Sequence, residues 1–282
     1  MDEVREALDG QPLDLLELAA VVIEATADDD GPANLDELVT AFIGTELPET
    51  TALLAVLREL APEHAQRLRC RQAVLTRHDP LPRWLAELSE STVGRAVLMT
   101  DVFGDGEEVL IGLRLADGQA LTCAVNIDHL HLSSVKDAFL VPESIDTVLA
   151  VAQAGNDDPD TEFVDLDRAD AGATLQTALD PRRPLQLSDT WPTCRPLVRW
   201  LVRLLPDGGT ARIPDRDPAQ TAEVLDRFFG SLVGMSLRGR EHRELLRTAA
   251  ESGTGDPLRW STVRLHHLLG SGPIADELPA QA

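Results

Sequence analysis

Residues 109–127 decide the fold: V-L-I-G-L-R-L-A-D-G-Q-A-L-T-C-A-V-N-I. Val109, Ile111, Leu113 and Leu115 alternate with Leu110, Gly112 and Arg114, and then Leu121, Cys123, Val125 and Ile127 alternate with smaller or polar residues. Successive side chains of a strand point to opposite faces, so a period of two predicts two strands that each carry one apolar face. Asp117 and Gly118 separate them and predict a type I′ hairpin turn, in which both central residues need positive φ. A third strand-like run covers residues 95–103 and is joined to the second by Gly104, Asp105 and Gly106. The expectation is a three-stranded antiparallel meander.

Moving outward, the period lengthens to that of helices. Residues 13–26 are apolar too densely for a surface helix and predict a largely buried one. Asn34 and Glu37 have capping-box spacing and open a helix to about residue 43. Pro48 opens another, with Leu53, Leu54, Val56, Leu57 and Leu60 on its apolar side, and a short helix covers 64–71. Past the meander come a helix over 142–154 stopped by Gly155, a short strand over 161–166, and a helix capped by Asp167. Further helices are expected over 196–205, 217–232, 240–250 and 258–269. This order is α+β. It divides into an acidic helical unit (1–78), an α+β domain with the meander and flanking helices (79–185), a helical C-terminal unit (186–270) and a frayed tail (271–282).

Among 282 residues, 48 are acidic and 25 basic, a formal net charge of -23. Residues 1–60 hold 15 acids and 2 bases, residues 91–190 hold 18 and 6, and residues 191–270 hold 9 and 12. The first two thirds would be repelled by a nucleic-acid backbone. The helices at 34–43 and 48–60 have helix-turn-helix proportions, but the second offers almost nothing to bond base edges. All basic residues except Lys136 are arginine and there is no tyrosine, a bias typical of a GC-rich bacterial genome. Three widely spaced cysteines, Cys70, Cys123 and Cys194, fit neither a disulfide framework nor a zinc knuckle. The acidic N-terminus and the lack of a long apolar run make a cytoplasmic protein the expectation, with no membrane span.

The foremost chemical candidates are Asp128, His129 and His131 at the exit of the third strand. In an extended segment the two imidazoles would share a side, and Asp101 or Asp105 could add oxygen ligands for Zn²⁺, Mn²⁺ or Fe²⁺. The plainer expectation is polar residues bonded locally at a strand end. Lys136, the single lysine, is suited to amine or phosphate chemistry, or simply to pairing with Asp137 on the surface. Arg195, Arg199 and Arg203 recur every four residues and form a basic stripe on one helix, able to hold a phosphate or partner or to dock against the acidic N-terminal unit. Phosphate-loop, dinucleotide, nucleophile-elbow and zinc-protease motifs are missing from the sequence.

Three segments carry a resemblance: D-V-F-G-D-G (101–106), I-D-H-L-H-L-S-S-V-K-D-A-F (127–139) and D-P-L-R-W-S (256–261). They resemble segments of a family of uncharacterised actinobacterial proteins, in which the second reads I-D-H-N-L-G-G where Leu130 to Ser134 stand here. The resemblance implies a bacterial source and a shared domain, and no reaction. The functional expectation is a non-enzymatic interaction or regulatory protein whose acidic surface engages a protein partner, the alternative being a divalent-metal-dependent hydrolase built on Asp128, His129, His131 and Asp101.

Overall fold

The computed structural model describes residues 1–27, 34–212, 218–251 and 256–270, so the expected tail at 271–282 lies outside the described residues. The N-terminal helices are α1 (Asp2–Asp9), α2 (Pro12–Ala25), α3 (Leu35–Gly44), α4 (Pro48–Leu60), α5 (His64–Thr76) and the short α6 (Arg83–Ala86). Strands β1 (Thr92–Asp101), β2 (Gly106–Arg114), β3 (Ala120–Asp128) and β4 (Ser134–Val141) follow. Next come α7 (Ile145–Gly155), β5 (Thr161–Leu166), α8 (Arg168–Ala178), α9 (Arg195–Leu204), α10 (Pro218–Gly230), α11 (Arg240–Glu251) and α12 (Thr262–Gly270). The chain is α+β.

The sheet corrects the three-stranded expectation: it has five strands, all antiparallel, in the order β4-β3-β2-β1-β5. The strand read over 161–166 returns to pair with β1. The other addition, β4, is hidden by a bulge. Asn126 pairs with Asp137 but Ile127 pairs with Val135, so Lys136 is an extra residue, and the buried Val135, Ala138 and Leu140 lose strict alternation. The 115–119 hairpin also differs from the predicted type. Only Gly118 has positive φ (94°), while the Leu115 N–H bonds the Gln119 carbonyl at 2.9 Å and the Gly118 N–H bonds the Leu115 carbonyl at 2.9 Å. This is the three-residue loop with a left-handed glycine, which needs one permissive residue and not two.

Register assigns the faces. Val109 lies opposite Val125 and Leu98, and Ile111 opposite Cys123 and Ala96, so these residues form one buried face. That face packs in a single apolar core with Leu15 and Leu16 of α2, Leu54 and Leu57 of α4, and Leu197, Trp200 and Leu201 of α9. The core is continuous from Val4 to Leu205, across the expected boundaries at 78 and 185. The other face has a smaller cluster in which Val97, Leu110 and Ala124 meet Ile145 and Leu149 of α7 and Phe163. Gly112 permits that contact, because a Cβ there would stand 2.9 Å from the Ile145 side chain.

The N-terminal helices have a polar knot. The Arg77 guanidinium donates to the Phe42, Ile43 and Thr45 carbonyls at 2.7, 3.1 and 3.0 Å and to the Thr50 and Thr51 hydroxyls at 3.0 and 2.9 Å. It adds bonds to carbonyls at the end of α3, two of which also accept from nearby backbone N–H groups, and pins the start of α4 beside them. The Asn34 cap forms as expected on its acceptor side, with the Glu37 N–H at 2.9 Å. Arg77→Ala is expected to destabilise the protein by about 3 kcal/mol in urea unfolding, since several charge-assisted bonds are lost together. Arg77→Lys should recover little, because a point ammonium cannot span the acceptors that a planar fork reaches.

Candidate binding cleft at the open end of the sheet

The register that buries Val109 and Val125 turns Glu108 and Asn126, paired opposite each other, to the second face. Helix α7 covers that face over Val97, Leu110, Gly112 and Ala124. Beyond it lies a cleft of about 260 Å³ lined by Met99, Asp101, Asp105, Glu108, Asn126, Asp128, Lys136 and Thr161, with Val263 of α12 on its rim. Ser261 donates a hydrogen bond to the Asp105 carboxylate, tying the segment before α12 to the β1–β2 turn. The His129 N–H bonds the Asp105 carbonyl at 2.8 Å. The segments 101–106, 127–139 and 256–261 therefore meet around this one cleft.

Its electrostatics are those of crowded carboxylates. Burial pushes the Glu108 carboxyl above its ordinary range, and the Asp137 charge adds to this. Burial also pushes Asp105 up; the Ser261 bond and the Arg264 charge oppose the rise, and the charges of Asp101 and Asp128 reinforce it. Lys136 is the cation lining the cleft. Its neighbour Asp137 is engaged elsewhere. Burial would raise Asp137, but bonds from the Ser188 hydroxyl at 2.6 Å, from the Thr190 hydroxyl and from the Ala138 N–H at 2.9 Å outweigh it, and the carboxyl sits below its usual range.

The structure brings the proposed metal ligands together only in part: Asp128 meets His131, and Asp101, Asp105 and Asp128 line one cleft, while His129 is buried with other partners. Residues 129–133 form a turn, not an extended segment, with Leu132 and Ser133 at φ 59° and 55°. The chain must reverse here to start β4, and that reversal sends the two imidazoles apart. His131 Nδ1 lies 2.6 Å from the Asp128 carboxylate, which also accepts the Leu130 N–H at 2.9 Å. His129 is 3% exposed, with Nδ1 at 2.9 Å from the Ser133 hydroxyl and Nε2 at 3.6 Å from Glu107. Asp101 accepts the Phe103 and Gly104 N–H groups at 2.7 and 2.8 Å and shapes its own turn. Among the described residues no three His, Cys, Asp or Glu side chains are arranged to hold a metal ion.

Glu107, Glu108 and Ser133 are the residues that motif reading missed. Adjacent glutamates at a strand start must face opposite ways, which is the one signal available: Glu107 goes under the sheet to His129, and Glu108 goes into the cleft. The buried imidazole–hydroxyl bond between His129 and Ser133 braces the left-handed turn, whose non-glycine residues are costly to hold at positive φ, while the Glu107 carboxylate faces the imidazole at 3.6 Å without a hydrogen bond.

The arginine stripe docks on the N-terminal helices. Arg195 pairs with Glu24 of α2, its Nε at 3.1 Å from the carboxylate, and Arg203 donates to the Glu59 carbonyl of α4. Burial holds the Arg199 guanidinium below its usual range, and the neighbouring Arg195 charge adds to this. Cys70, Cys123 and Cys194 are free and buried, and burial raises all three thiols, Cys70 to about 11 and Cys194 to about 12. Among the described residues no helix is long and apolar enough to cross a membrane. Comparison with family models, curated proteins and solved structures yields no match for the chain.

Glu108 binds its proton more readily in the folded than in the unfolded chain. Its protonated form favours the fold at low pH, and that contribution is lost as pH rises through the raised folded value. Glu108→Gln is therefore expected to stabilise by about 0.5 kcal/mol near pH 7, and the gain should vanish near pH 3, where the native side chain is itself neutral. Urea unfolding at the two pH values checks this. His129→Ala should cost about 2–3 kcal/mol, because it empties a buried site, removes the partner of the Ser133 hydroxyl and takes away the imidazole that faces the buried Glu107 carboxyl at 3.6 Å. A double-mutant cycle with Glu107→Leu should show that part of this loss is recovered.

Proposed function

We propose that the protein is a non-enzymatic interaction protein of the cytoplasm, whose acidic cleft receives a cationic segment of a protein partner. The observation that carries this reading is the half-covered second face of the sheet. There Asp101, Asp105, Glu108 and Asp128 line one cleft against the single amine of Lys136. Two of these carboxyls already resist ionisation, chiefly through burial, with repulsion added on Asp105 by Asp101 and Asp128 and on Glu108 by Asp137. A guanidinium or ammonium in the cleft would relieve that cost, and charge complementarity of this kind sets partner choice and association rate.

The dispersed His129 and His131 give no support to the hydrolase alternative. Arg195 and Arg203, engaged by Glu24 and the Glu59 carbonyl, give none to a phosphate or nucleic-acid reading of the stripe. The chain's overall charge of -23 favours a basic partner in the same direction.

The test is titration calorimetry of the full chain with an oligoarginine peptide. Binding should weaken at least about tenfold between low and high salt, as expected for a solvent-accessible ionic contact. Glu108→Lys should weaken it by at least about fivefold, roughly 1 kcal/mol. Binding that ignores this charge reversal would locate the contact outside the cleft.

A further inference from the structure

The two edges of the sheet are treated differently. Along β4 the segment 186–190 is fastened by side chains: Gln186 donates to the Ser134 hydroxyl at 2.9 Å, and Ser188 and Thr190 donate to Asp137. At the opposite edge β5 pairs with β1 from Ala96↔Leu166 to Asp101↔Thr161, and no described residue pairs with its outer side. Backbone groups on an uncovered edge offer a ready template for one more strand. Val164, in mid-strand, is 45% exposed.

The charge on this edge selects the occupant. Residues 156–167 contain Asp157, Asp158, Asp160, Glu162, Asp165 and Asp167, and no basic residue. Asp165 is bridged by Arg95 at 2.7 Å, and Asp167 caps α8 through the Ala169 N–H at 2.8 Å. A second copy pairing edge to edge would set this acidic run against itself, and like charges on facing strands repel. A basic strand meets the opposite situation.

We infer that β5 is a strand-addition site for an extended basic segment of a protein partner, which pairs with its outer edge and extends the sheet. Main-chain hydrogen bonds supply the affinity in this mode of recognition, and alternate side chains supply the selectivity. The site joins the cleft: Thr161, the first residue of β5, pairs with Asp101 and lines the cavity. The inference rests on the cationic-partner reading of that cleft and names the conformation in which the partner binds.

The experiment uses the full chain and two synthetic peptides of equal charge. One is Arg-Val-Arg-Thr-Arg-Val-Arg-Thr, and the other is the same peptide N-methylated at every residue, which keeps every side chain but leaves no N–H on either edge to form a ladder. The unmodified peptide should bind at least about tenfold more tightly, about 1.4 kcal/mol, and should slow amide exchange within 161–166 at least about tenfold. Equal affinities with no protection of 161–166 would overturn strand addition and leave the cleft reading standing. Protection of 161–166 that is unaffected by Glu108→Lys would support strand addition while removing the cleft from it. If neither peptide binds at low salt, both readings fall.

Discussion

The pairing of β2 with β3 is the constraint on which the rest depends. With Val109 opposite Val125 and Ile111 opposite Cys123, every second residue joins the helical core, and every residue between them faces the other way. A slip of one position would exchange the two sets, putting Glu108 and Asn126 into the core and Ile111 into water. The same register therefore makes both the core and the cleft. The acidic floor is what remains of the second face once α7 has covered Leu110 and Ala124.

Polar contacts then fix the helices around the sheet. Arg77 gathers the end of α3 and the start of α4, while Arg195 and Arg203 fasten α9 to α2 and α4. Each guanidinium meets carbonyls or a carboxylate at a place where apolar packing alone would leave helix position loosely specified. The charge asymmetry along the chain is thus partly consumed inside the molecule: basic residues of the last third meet acceptors of the first. Around the cleft and along β5 such compensation is partial: Arg95 bridges Asp165 and His131 meets Asp128, but acids still outnumber bases there.

The extent to which the sequence can be read follows locality. Residues 109–127 announce their strands because alternation is a property of neighbours, and the caps at Asn34 and Asp167 are equally local. Strand β4 was hidden because the bulge at Lys136 shifts the phase of its apolar residues, and a bulge exists only relative to a partner strand. The H-x-H segment misled for a related reason. Whether His129 and His131 share a side depends on backbone dihedrals at Leu132 and Ser133, and those are set by where β4 must return. Glu107 and Glu108 read as a polar strand start; that one is buried against an imidazole and the other lines a cleft follows from which face α2, α4 and α9 cover.

By itself, then, the sequence determined the α+β class, the periods of the strands and most helices, the breaks between them and the acidic excess, since composition and nearest-neighbour geometry are written residue by residue. Only the tertiary structure decided that the sheet has five strands, that one core joins the first two expected units to α9, that the arginine stripe docks on α2 and α4, and that carboxylates distant in sequence converge beside an uncovered strand edge. Those outcomes depend on which surfaces compete to bury one another, and that competition is settled by the whole chain at once.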